Sequence, residues 1–71
     1  MRYMIVIEEG ETSFGAYVPD LAGCVAVGET EAEVRQLIQE AIEIHLEDLH
    51  DSGVSTPKPS SKSEYVEVLA A

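Results

Sequence analysis

The twenty residues from Phe14 to Glu33, FGAYVPDLAGCVAVGETEAE, constrain the fold more than any other part of the chain. Phe14, Ala16 and Val18 alternate with Gly15 and Tyr17, as a strand with two distinct faces requires. Pro19-Asp20 ends that strand, because proline has no N–H to give a ladder. Gly23 supplies backbone freedom for a reversal, and Asp20 suits the turn as a carboxylate that accepts from local N–H groups. Cys24 to Val27 then read as a short buried strand, broken by Gly28. Thr30 follows as a helix N-cap with Glu33 three residues on, the capping-box spacing in which hydroxyl and carboxylate each accept from an otherwise unpaired N–H. The stretch encodes strand, turn, strand and helix start, with no nucleophile-and-base pair inside it.

The flanks extend the pattern. Residues 2–8 (RYMIVIE) are apolar at Tyr3, Ile5 and Ile7 on one face and at Met4 and Val6 on the other, which predicts a central strand covered on both sides. Glu9-Gly10-Glu11-Thr12 is a hairpin-length connection, so this strand and a second over about 13–18 pair antiparallel, with a third over about 24–27. From Glu31 to about His50, Val34, Leu37, Ile38, Ala41, Ile42, His45 and Leu49 recur at spacings of three and four, an amphipathic helix with Ile44 and Leu46 at the edges of its stripe. Gly53 suits a helix terminator, and the Ser/Pro/Lys-rich run 51–63 reads as an exposed, mobile connection. Tyr65-Val66-Glu67-Val68-Leu69 reads as a last strand over about 64–69. A right-handed crossover places it parallel to the first strand, in the order 3-2-1-4. The expected fold is α+β: a single βββαβ domain over 1–71.

A chain of 71 residues hides only about 60% of its unfolded surface, so the core is small and self-association is expected to support it, with a dimer as the default. The lone Cys24 has no disulfide partner and lies in an apolar run, which suits a reducing cytoplasm and a structural thiol. No run approaches the ~20 apolar residues of a membrane span, and neither signal peptide nor anchor is expected. Four basic residues against fourteen acidic ones give a net charge of −10. Such a surface repels phosphate backbones and excludes direct nucleic-acid binding by this chain alone, but it speeds encounter with a basic partner.

Taken together, Gly15, the aromatic Tyr17, the run Pro19-Asp20-Leu21-Ala22-Gly23-Cys24, the Gly28-x-Thr30 step and Glu40-Ala-Ile-Glu-Ile-His-Leu-Glu47 on the helix resemble the HicB-like antitoxin domain, the UPF0150-type small protein of HicA/HicB toxin–antitoxin pairs. The resemblance covers about Met1 to Asp51 and the last strand. It implies a βββαβ layout similar to a truncated ribonuclease H core. It also implies a protein-binding domain that neutralises a small basic HicA-like ribonuclease toxin by covering its RNA-facing surface and catalytic histidine. Glu8, Glu9, Glu11 and Asp20 around the reversals of the meander, with Glu64 and Glu67 beside the last strand, are the candidate acidic rim for that contact. Many members of the family carry a DNA-binding segment after the last strand. This sequence leaves no room for one before Ala71, so operator binding is not expected.

Catalytic and metal chemistry find little support. His45 lies on the apolar face of the helix and His50 five residues on, off the i, i+4 face of a helical metal site, so His45 reads as packing and no metal or cofactor is expected. A ribonuclease H-like nuclease wants acids converging from neighbouring strands and a helix around divalent ions. The first strand offers Ile5, Val6 and Ile7 instead, with Glu8 only at its end. The expectation is a non-enzymatic antitoxin; a solitary oligomeric module of unknown ligand is the alternative, and a metal-dependent nuclease the remaining one.

Overall fold

The computed structural model describes residues 1–70. Among these, β1 (Val6–Glu9), β2 (Phe14–Tyr17) and β3 (Val25–Gly28) form one antiparallel meander in the order β1-β2-β3, followed by α1 (Glu31–Asp51). The class is α+β, three antiparallel strands and then one helix. Register separates the two faces. Ile7, Ala16 and Ala26 lie in one cross-strand row facing the helix, while Val6, Tyr17 and Val25, and next to them Glu8, Gly15 and Val27, form rows on the other side. The helix-side residues Ala16, Val18 and Cys24 join Leu21, Val34 and Ile38 in the buried core, with Tyr3, Ile5, Ile7, Phe14 and Leu46 packed around it.

Local chemistry fixes both ends of α1. Thr30 is the N-cap, its Oγ1 accepting from Glu33 N at 3.0 Å. The Glu33 carboxylate reaches back to accept from Glu29 N at 2.9 Å, one residue further out than the usual capping box. Glu31 and Glu33 in the first turn suit the positive end of the helix dipole. At the other end Gly53 adopts φ +71°, its N–H donates to His50 O and the Val54 N–H to Leu49 O, the paired bonds of a Schellman cap.

Gly28 sets the distance between sheet and helix. A Cβ there would stand 2.9 Å from Val34 N, closer than real Cβ contacts come, so the residue that reads from sequence as a strand breaker is required by close approach. Gly23, at φ +79°, takes the left-handed conformation of the β2–β3 turn.

Four expectations need correction. Residues 64–69 belong to no strand, so the order 3-2-1-4 is replaced by the three-stranded sheet; all six side chains are exposed and no sheet edge pairs with them. The first strand begins at Val6 rather than near Arg2, because the register carried one step past Ile5 sets Met4 against Pro19, which has no N–H to donate. The run 51–63 is tied down at several points: the Tyr3 hydroxyl donates to the Pro57 carbonyl oxygen, and Ser60 and Ser61 bond to Asp20. On the helix, Val34 and Ile38 are fully buried, whereas Leu37 is exposed and joins Ile44 on a flank that the sheet does not cover.

Gly28→Ala is expected to lower unfolding stability by about 1–3 kcal/mol, the range for forcing a methyl into a filled site. Thr30→Ala is expected to lower it by about 1 kcal/mol through the lost cap. Urea denaturation followed by circular dichroism measures both.

Candidate functional site

The register places acids at one end of the molecule. Glu9, Phe14 and Gly28 share the last cross-strand row, so the end of β1, the β1–β2 hairpin and the start of α1 lie together. Glu8, Glu9 and Glu11 from the hairpin therefore stand at the same end as Glu29, Glu31 and Glu33, all exposed. The only cation among them is Arg35, held to Glu31 Oε2 at 3.0 Å in an exposed i, i+4 pair that contributes a few tenths of a kcal/mol. Glu29, Glu31 and Glu33 lie outside the candidate rim, Glu33 being expected only as a capping residue. Their signal was present in the capping box, which fixes where the helix starts relative to β3.

Asp20 lies at the opposite end of the sheet and is occupied. Its Oδ2 accepts from Ser60 N at 2.9 Å and Ser61 N at 3.0 Å, and its Oδ1 from Ser61 Oγ at 2.7 Å and Ser60 Oγ at 3.2 Å. The Ser61 hydroxyl, then the two backbone N–H groups, hold the carboxyl down from 3.8 to about 2. Asp20 is thus a clamp on the C-terminal segment. Glu64 and Glu67 lie beyond that clamp on the exposed segment. Of the six rim candidates, the hairpin three stand together, Asp20 lies at the far end of the sheet, and Glu64 and Glu67 follow its partners Ser60 and Ser61 on the exposed segment.

The motif residues have separate tasks. Pro19 ends the β1–β2 ladder, Gly23 turns the chain, Thr30 and Glu33 cap the helix, and Cys24 fills the core, where burial pushes its thiol up. Gly15 meets nothing: a Cβ there would have no neighbour within 4 Å. It leaves the middle of the outer sheet face flat, between Tyr17 and the valines Val25 and Val27, which are 63% and 67% exposed. Among the described residues no group of three or more His, Cys, Asp or Glu side chains is placed to hold a metal ion, and no helix is long and apolar enough to cross a membrane.

Comparison with known proteins gives this arrangement its family. The model of the HicB-like antitoxin of bacterial toxin–antitoxin systems matches residues 3–69. The chain belongs to this family. A UPF0150 protein of Helicobacter pylori is 48% identical over 44 residues, 62% of this chain and 61% of that protein. An uncharacterized 14.9 kDa protein from the rep-hol intergenic region of Haemophilus phage HP1 is 32% identical over 66 residues, 93% of this chain and 50% of that protein. The chain thus spans only half to three-fifths of these curated relatives. Among solved structures, a chain of a HicA3 and HicB3 toxin–antitoxin complex superposes with a TM-score of 0.68 at 32% identity, covering 83% of this chain and 72% of that one. HicB-like membership and the meander-plus-helix fold therefore agree.

The clamp has a pH signature. With the Asp20 pKa below its unfolded value, its stabilisation is fully present above about pH 4 and is lost as pH falls through about 2. The Ser60 and Ser61 amide resonances are expected to shift in that window and nowhere nearer neutrality. In Asp20→Asn the step disappears, and amide exchange at both serines is expected to be fast at neutral pH, as NMR would measure.

Proposed function

We propose that this HicB-like chain neutralises a small basic HicA-like ribonuclease toxin by covering the toxin's RNA-binding and catalytic surface. It acts in the cytoplasm as a single folded unit, a shortened ribonuclease H-like core used as scaffold and not as an enzyme. The observation that carries this reading is the acidic end built by Glu8, Glu9, Glu11, Glu29, Glu31 and Glu33 on a member of an antitoxin family. A surface that binds RNA must be basic, and an acidic surface complements it and accelerates the encounter. Likeness to a chain from a HicA3–HicB3 complex supports a partner of the same kind. We propose further that the chain self-associates, since the outer sheet face and both sheet edges are uncovered among the described residues.

Calorimetry against a HicA-like protein encoded beside this chain, with RNA cleavage as the functional readout, tests the toxin reading. Glu9→Lys/Glu11→Lys is expected to weaken binding at least about tenfold, mostly by slowing association, and to release cleavage in proportion. Affinity of the unaltered chain is expected to fall as salt rises. Binding that ignores both the substitutions and the salt would contradict a charge-guided contact at this end.

A further inference from the structure

Residues 64–69 have a strand's composition and no sheet. In a strand Val66 and Val68 would share one face with Glu64, and Tyr65 and Leu69 the other with Glu67 between them, so each face would carry two apolar side chains to cover. Instead all four are exposed, Tyr65 and Leu69 completely. The segment also projects. The radius of gyration is 14.3 Å, where a folded chain of this length averages about 11 Å. The long axis is 51 Å, well beyond the roughly 32 Å of a helix the length of α1. Just before it leaves the body, the chain is pinned at Pro57 by Tyr3 and at Ser60 and Ser61 by Asp20.

Two edges are open to such an arm, and they differ. The outer edge of β1 ends in the acids Glu8 and Glu9. The β3 edge is apolar on both flanks. Val18 N donates to Cys24 O at 3.2 Å, and antiparallel alternation then turns the N–H and C=O of Val25 and Val27 away from β2, free to pair. On the helix side of that edge lies a shallow groove lined by Gly23, Cys24, Val25, Ala41 and Ile44 together with the polar His45 and Asp48, with the exposed Leu37 further along the same helix flank. On the outer side Val25 and Val27 themselves stand exposed. A strand laid there sets one face against the helix flank and the other beside the outer valines as cross-strand neighbours.

We propose that residues 64–69 are an exchanged arm: in a two-fold dimer of this chain, each arm adds as a strand to the β3 edge of the other copy. The proposal rests on the self-association reading above and specifies its contact. Every copy holds one unpaired arm and one unpaired apolar edge, so the exchange satisfies both at equal stoichiometry and closes. Residues 1–53 carry twelve acids and two arginines, and residues 54–71 two acids and two lysines, so the acidity resides on the body; the arm itself holds Glu64 and Glu67, and the contact is carried by backbone pairing and apolar side chains. A basic toxin would select the acidic end instead. Anchoring at Asp20 and Tyr3 restricts the arm before docking and lowers the entropy lost on pairing.

Sedimentation velocity on the full chain alone, at micromolar concentration, tests this without any toxin. The unaltered chain is expected to give the two-chain mass, and Val66→Lys/Val68→Lys and Val27→Pro each the one-chain mass with the helical circular dichroism retained. Proline at Val27 removes an edge donor that β2 does not use. In a mixed sample of labelled and unlabelled unaltered chain, isotope-filtered NMR is expected to show contacts from Tyr65–Leu69 to the Val25 and Val27 methyls of the other copy. A one-chain mass for the unaltered protein would overturn both the arm and self-association. A dimer that survives Val66→Lys/Val68→Lys, or arm contacts to β1 or within one chain, would overturn the arm and leave self-association standing.

Discussion

At Gly28 the missing side chain lets β3 run so close to α1 that an added Cβ would meet the Val34 backbone nitrogen at 2.9 Å. Ala16 and Ala26 share the helix-facing side with it, so small residues occur in two of the three strands where the helix descends. This closeness fully buries Val34 and Ile38. It also holds the Thr30 cap and its Glu33 partner directly after the last residue of β3. Because cap and strand are continuous, the acids of the helix start cannot be separated from those of the β1–β2 hairpin. The core and the acidic end therefore have one cause.

The same geometry limits what the fold can cover. A single helix over a three-stranded sheet shields one face, and the opposite face keeps Tyr17, Val25 and Val27 in solvent. The helix sits over the strands with only part of its own apolar arc engaged, leaving Leu37 and Ile44 beside the β3 edge. A chain this small retains much of its apolar surface outside the core by simple scaling. Here Val25, Val27, Leu37 and Ile44 of that surplus lie along one edge and Tyr65 to Leu69 on the C-terminal segment, while six of the acids stand together at one end. Separated surfaces of this kind allow two contacts of different chemistry on one small scaffold.

Much of this was legible in the sequence where the cause was local. Pro19 and Gly23 announce a reversal, Thr30 and Glu33 announce a helix start, and Gly53 announces its end, because each acts on neighbours within a few positions. The α+β class and the family followed from those signals. The Asp20 clamp was not legible, since its partners Ser60 and Ser61 lie forty residues away and a Pro-Asp step looks like any turn. The last strand failed for another reason: a period of two states what a segment needs, and no sheet edge pairs with residues 64–69 here. Leu37 was misplaced because helical spacing defines an arc, while the width of the sheet decides how much of that arc is covered.

Gly15 carries a consequence of its own. It stands in the centre of the outer face with open space where a side chain would be, so the peptide plane of β2 is bare to whatever approaches. A Cβ fits there without meeting the core, the caps or the clamp. Folding alone favours a side chain there, since glycine inside a strand costs about 0.5–1 kcal/mol relative to alanine. Persistence of glycine there across relatives would therefore record contact history rather than architecture.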